Sequence, residues 1–235
     1  MFLISTLSNL TTPKIIKIHS KKNIAQIPEI CYSFKRILPL ALWVETMIDI
    51  KGLIDGLRAI PDDEFTLNNV YEFLSKNPVS VDSIEPYFFW SKKFYTRNLI
   101  YKDERFELMA LCWEIGQISK IHNHANQKCW MTVPFGKLCG QNFRIIEIDE
   151  RSGYCRLAKT ERFELTNAST AKVELEEPIH QILNLPEYES RAVSLHIYSK
   201  PFDRCISYCL ETDSFTEVKL FYTSIGGKLC PGVEL

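Results

Sequence analysis

The chain lacks an overall electric field. Its 28 basic and 29 acidic side chains leave a formal net charge of -1. That removes the attraction on which general binding to nucleic acid or anionic membrane depends, and it suits a small neutral or zwitterionic ligand. Long apolar runs are missing too. The longest, Ile37 to Val44, ends at Glu45 and is far too short to cross a bilayer. Eight cysteines include no Cys-x-x-Cys pair, and the closest two, Cys205 and Cys209, have three residues between them. With no secretory start, this pattern predicts reduced intracellular thiols, not a disulfide framework or a zinc knuckle. No glycine-rich dinucleotide loop, internal repeat or low-complexity segment occurs.

The first 28 residues have neither acids nor arginine, but carry Lys14, Lys17, Lys21 and Lys22. Mitochondrial targeting segments share the lysine and the lack of acids, but not the missing arginine or the break at Pro13. The expectation is a cytoplasmic protein with an irregular extension over residues 1–42, in which His19 is a surface residue. One domain over residues 43–235 follows.

Between Val44 and Leu57, apolar Met47, Ile50, Ile54 and Leu57 recur at helical spacing. Pro61 ends that pattern, and a second helix is expected from about Thr66 to Leu74, stopped at Asn77-Pro78. Both would pack on the outside of a sheet. After Pro86 the texture changes to short β-rich runs, expected at 94–100, 106–114, 118–124, 129–133, 137–148, 171–175, 179–183, 192–198, 206–210 and 217–223. Ten or so strands without intervening long helices predict a mainly β fold with a closed or sandwiched antiparallel architecture.

Four of the five histidines fall in two strings, Ile121-His122-Asn-His124 and His180 to His196. His-x-His is strand spacing, so two imidazoles on one face can reach one ion, with His180 as a third ligand. Ser194, His196 and Tyr198 alternate with Val193, Leu195 and Ile197. They form either a hydrogen-bonded relay facing a cavity or a row facing water. Tyr95 and Arg97 share a face and could clamp a carboxylate, although a lone strand arginine is ordinarily at the surface. Cys129 alone reads more often as a small buried hydrophobe than as a partner in a covalent bond. Gly116 and Gly136 suit turns, and Asn184 either orients a ligand or satisfies a turn.

Together these strings resemble the cysteine dioxygenases, thiol-oxidising members of the cupin superfamily. The matching strings are Tyr95-Thr-Arg-Asn98, Leu111-Cys-Trp113, Ile121-His-Asn-His-Ala125 and Cys129. His180-Gln-Ile-Leu-Asn184 and Ser194-Leu-His-Ile-Tyr-Ser-Lys-Pro-Phe-Asp-Arg-Cys205 follow, so the resemblance spans about residues 44 to 225. It implies a small cupin-type, jelly-roll-like barrel with the helices outside. His122, His124 and His180 would hold one ferrous iron per chain. Arg97 and Tyr95 would bind the substrate, and Cys129 would be joined to Tyr198 by a thioether bond. Ser194 and His196 would orient Tyr198, while Leu111, Trp113 and Cys205 would wall the pocket. Dioxygen would be the cosubstrate, with no NAD, flavin or 2-oxoglutarate.

The implied reaction converts free L-cysteine to cysteine sulfinic acid, on the route of cysteine catabolism and taurine biosynthesis, in a monomer without nucleic-acid or membrane partners. Rival readings are a relative acting on 3-mercaptopropionate or cysteamine, and a non-catalytic metal-binding cupin sensor. Asn123, Lys128 and Gln117 depart from the vertebrate pattern without touching the ligand set.

Overall fold

The computed structural model describes residues 47–166, 169–173 and 179–235. The expectations for residues 1–42, and for the beginning of the first helix at 44–46, lie outside them. Helix α1 spans Ile50–Ala59 and α2 spans Leu67–Lys76, followed by a single turn, α3, at Val81–Ile84. Asp49 accepts from the Gly52 N–H, which places the start of α1 at Ile50 rather than at Val44. Thr66 caps α2 through the Asn69 N–H. Leu53 and Leu57 of α1 and Val70 and Leu74 of α2 are buried.

Among the described residues thirteen strands follow: β1 Thr96–Lys102, β2 Glu107–Trp113, β3 Ile121–His122, β4 Lys128–Phe135, β5 Leu138–Asp149, β6 Tyr154–Leu165 and β7 Thr170–Lys172. The rest are β8 Ile179–Leu183, β9 Ala192–Ser199, β10 Arg204–Cys209, β11 Ser214–Lys219, β12 Ser224–Ile225 and β13 Lys228–Leu229. One seven-stranded sheet has the order β13-β12-β1-β2-β9-β4-β7. The other six close on themselves as β10-β11-β6-β5-β8-β3. Every pairing is antiparallel except β1 with β12.

Four strands differ from the sequence expectation. The sequence pattern does not predict strand β6, because its lysine, two arginines and two glutamates face solvent and break the apolar alternation that marks a strand. Its pairing with β5 comes from a hairpin, whose Gly153 takes φ +72. Strand β3 is only two residues long, since Ala125 and Asn126 adopt positive φ and turn the chain out of the ladder. Strands β12 and β13 carry too little apolar pattern to be read.

Strands β2 and β9 are buried on both faces. Leu108, Ala110, Cys112, Val193, Leu195 and Ile197 meet the helices in one cluster with Leu53, Leu57, Val70 and Leu74. The alternate residues Met109, Leu111 and Trp113 of β2 face inward with Tyr198, Cys129 and Met131. The polar row Ser194, His196 and Tyr198 therefore points into the molecule, with exposures of 0%, 2% and 2%. Gly136 makes the turn from β4 into β5 with φ +76, and a Cβ there would lie 2.3 Å from the Arg191 carbonyl oxygen. The seven described cysteines are free thiols. Among the described residues no helix is long and apolar enough to cross a membrane.

Candidate metal centre and substrate pocket

His122 closes β3, and in the ladder it lies opposite His180 of β8 on one side and Ser207 of β10 on the other. His124 follows beyond the strand. Its approach is fixed by Asn123, whose N–H donates to the Ile206 carbonyl (3.1 Å) and whose Oδ1 accepts from the Ile206 N–H (3.0 Å). This keeps His-x-His extended although the strand has ended, so both rings reach the same point. Ring centroids of the three histidines lie 4.7 to 5.2 Å apart, and one nitrogen from each falls within 4.8 Å of the others.

The protonation states suit a cation. Burial pushes His122 down to about 4, against the opposing pull of the Lys120 carbonyl. Burial, reinforced by the neighbouring histidines, holds His180 well below its ordinary range. His122 and His180 can therefore offer neutral imidazole lone pairs at pH 7. His122 Nδ1 lies 2.9 Å from the Lys120 carbonyl oxygen. A carbonyl only accepts, so Nδ1 carries the proton and Nε2 keeps the lone pair. His180 Nε2 is buried without a hydrogen-bond partner among the described residues. Leaving such an atom unsatisfied costs about 1–3 kcal/mol, which a bound divalent metal would relieve. The donor set thus fits a metal of the borderline class that favours imidazole, such as iron or zinc.

Beside the histidines runs a buried chain of hydrogen bonds. Trp113 Nε1–H donates to Ser194 Oγ (3.0 Å), Ser194 Oγ lies 2.9 Å from His196 Nε2, and His196 Nδ1 lies 3.1 Å from the Tyr198 hydroxyl. Burial first, then the Arg97 and His122 charges, push His196 down to about 3. Burial above all holds Tyr198 well above its ordinary value. The relay consequently joins a neutral imidazole to a protonated phenol. Sequence reasoning treated Trp113 as wall alone. In the fold it also anchors the relay and stacks on Tyr95, with centroids 4.3 Å apart at 14°.

Cys129 of β4 lies directly opposite Tyr198 of β9, a pairing that places Cβ atoms about 4.5–5.5 Å apart. Burial alone raises the Cys129 thiol. Arg97 projects from β1, its Nη2 3.7 Å from Met109 Sδ and its Nε buried without a partner. No carboxylate among the described residues pairs with its guanidinium.

Some of these groups line a cavity of about 60 Å³, formed by Tyr95, Arg97, Lys120, His122, His124, Tyr198, Phe202, Cys205, Ser207, Val218 and Leu220; His180 is not part of that lining. On the same measure one water needs about 10–15 Å³, so the space suits a very small molecule. Leu111 and Trp113 lie one layer behind this lining, and Asn184 is spent on the carbonyls of Trp113, Glu114 and Ser190. Lys120, Phe202, Ser207, Val218 and Leu220 were not foreseen. Only Phe202 lies in a string that carries the family resemblance, while Val218 and Leu220 read as ordinary strand residues.

A sequence model of the family described as cysteine dioxygenase type I matches residues 59–210, more than half of the chain. The chain belongs to the cysteine dioxygenase type I family. It is 32% identical over 138 residues to the protein named cysteine dioxygenase type 1 of Homo sapiens, covering 58% of this chain and 66% of the relative. To the protein of that name in Danio rerio it is 31% identical over 138 residues, covering 58% and 67%. The match therefore spans just under two thirds of the human protein. Among solved structures, a Klebsiella pneumoniae protein with a double-stranded β-helix domain aligns with a TM-score of 0.40 at 11% identity. That alignment covers 59% of this chain and 88% of the other. TT1209 of Thermus thermophilus aligns with a TM-score of 0.38 at 18% identity, covering 50% and 95%.

Proposed function

We propose that this chain is a thiol dioxygenase that converts free L-cysteine and dioxygen to cysteine sulfinic acid, with ferrous iron held by His122, His124 and His180. The observation that carries the reading is the meeting of three histidines within reach of one ion, two of which share the lining of a cavity sized for a very small molecule with an arginine that no carboxylate pairs. Three neutral ligands leave the full charge of a divalent ion uncompensated, which favours an anionic thiolate beside it. When bound, iron supplies the site for the thiolate and the one-electron steps that dioxygen needs.

The protein residues do the rest. Arg97 takes the substrate carboxylate and sets which end of the molecule faces the histidines. His196 holds the Tyr198 hydroxyl, and Ser194 and Trp113 hold His196, so the phenol stands in one place and keeps its proton. A thioether bond between Cys129 and Tyr198 would fix the ring further, and fixed geometry matters because small misplacements are costly in catalysis.

Among the described residues no acidic side chain lines the cavity to receive a substrate ammonium. The amine must then be neutral and near the metal, or absent. That second case keeps 3-mercaptopropionate as the runner-up substrate. Cysteamine fits less well, since it would leave Arg97 without a carboxylate.

The test is anaerobic loading with ferrous iron, oxygen uptake with L-cysteine, and detection of the sulfinate by mass. Stoichiometric sulfinate that disappears in His180→Ala supports the reading. Tight iron binding with no oxygen uptake on L-cysteine, 3-mercaptopropionate or cysteamine would favour a non-catalytic sensor.

A further inference from the structure

The small cavity opens outward. Tyr95, Arg97, Lys120, Val218 and Leu220 line both it and a larger vestibule of about 740 Å³. Two more lysines, Lys93 and Lys219, border the vestibule, and no acidic side chain among the described residues lines it. Glu107, which accepts from the hydroxyl of the lining residue Tyr222, is buried and faces Lys102 Nζ at 3.8 Å. Its charge is thereby already answered. Lys93, Lys120 and Lys219 belong to no ion pair among the described residues, whereas lysines and arginines elsewhere do, as in Lys76–Glu72 and Arg191–Glu114. In a chain of net charge -1, this concentrates one sign at a vestibule that shares Arg97 with the small cavity.

We propose that the vestibule is an outer anion subsite, in which Lys120 and Lys219 hold a second carboxylate of a ligand whose first carboxylate sits on Arg97. The ligand class is small dicarboxylates, and among thiols those with two carboxylates, such as mercaptosuccinate. The inner cavity has room for the thiol and one carboxylate. A second carboxylate must extend through the opening, where the lysines are its only charged neighbours among the lining residues. The consequence for turnover rests on the thiol-oxidising reading; the binding does not.

The experiment is calorimetric titration of succinate, with butyrate as the single-carboxylate control, into the purified full chain with and without ferrous iron under anaerobic conditions. Succinate should bind more tightly than butyrate. That preference should fall about three-fold in Lys120→Gln and in Lys219→Gln, and further in the double variant. It should return in Lys219→Arg, stay unchanged in Lys51→Gln on α1, and weaken as salt rises through about 0.1 M. Equal affinity for the two acids, or a preference that the vestibule variants leave intact, would overturn the proposal. Oxidation of mercaptosuccinate should show the same lysine dependence in kcat/KM. If succinate behaves as expected while no thiol is oxidised, the reaction assignment fails and the anion subsite stands.

Discussion

Arg97 offers the sharpest test, because the same feature should make the protein less stable and more active. Its guanidinium is part-buried, its Nε has no partner, and its closest polar contact is the weak acceptor Met109 Sδ. A charge removed from water without a partner is destabilising. Partial exposure limits the penalty here to about 1 kcal/mol, far below that of a fully buried ion. Arg97→Met keeps the apolar stem and removes the charge, so the ligand-free protein should gain about 1 kcal/mol. For a domain of this size that is about 2–4 °C in Tm. Substrate binding should move the other way. Losing a charge-assisted contact of about 1.5–3 kcal/mol should raise KM for L-cysteine about ten- to hundred-fold. Scanning calorimetry with and without the thiol, beside oxygen-uptake kinetics, measures both. A variant several degrees less stable with unchanged KM would show that Arg97 is a packing residue, and the substrate assignment would lose its support.

Three further perturbations follow from the same geometry. Trp113→Phe removes the donor to Ser194 but keeps a ring against Tyr95, so kcat should fall several-fold with a stability loss of about 1–2 kcal/mol. An unchanged kcat would separate Trp113 from the relay. Asp103 should give a pH-dependent contribution. Burial pushes its carboxyl up, but the Phe106 and Arg105 N–H groups and the Tyr101 hydroxyl outweigh that and hold it below 3.8. Its stabilisation is therefore complete above the unfolded value and is lost as pH falls through the lower folded one. The urea midpoints of the parent and of Asp103→Ala should differ at pH 7, and the difference should shrink as the pH falls below the ordinary carboxylate range. Gly136→Ala should destabilise by more than about 2 kcal/mol, because its φ is +76 and the new Cβ meets the Arg191 carbonyl at 2.3 Å. A thermal shift smaller than about 2 °C would contradict that contact.

Sequence alone determined the features whose periodicity is local. Alternation along Val193 to Tyr198 separated an apolar face from a polar one, and the second helix begins at Thr66 as its pattern predicts, whereas the start of the first lies at Ile50 and not Val44. His-x-His spacing marked a pair of rings able to share an ion. Tertiary structure decided what each face met. The Ser194-His196-Tyr198 row could have faced water; pairing with β2 and β4 turned it inward and put Cys129 opposite Tyr198. His180 lies far from His122 in the chain, and only the β3–β8 ladder places the two side by side. Strand β6 stayed unread because solvent-facing strands carry no apolar signal, and its pairing is dictated by the hairpin from β5. Lys120 and Lys219 look like ordinary surface lysines in sequence. Barrel closure, which joins β10 to β3 and carries β11 to the same rim, brings them to the mouth above Arg97. Residue patterns fix the local face of each element. Which faces share a cavity is set by non-local hydrogen-bonded pairing, which no single segment encodes.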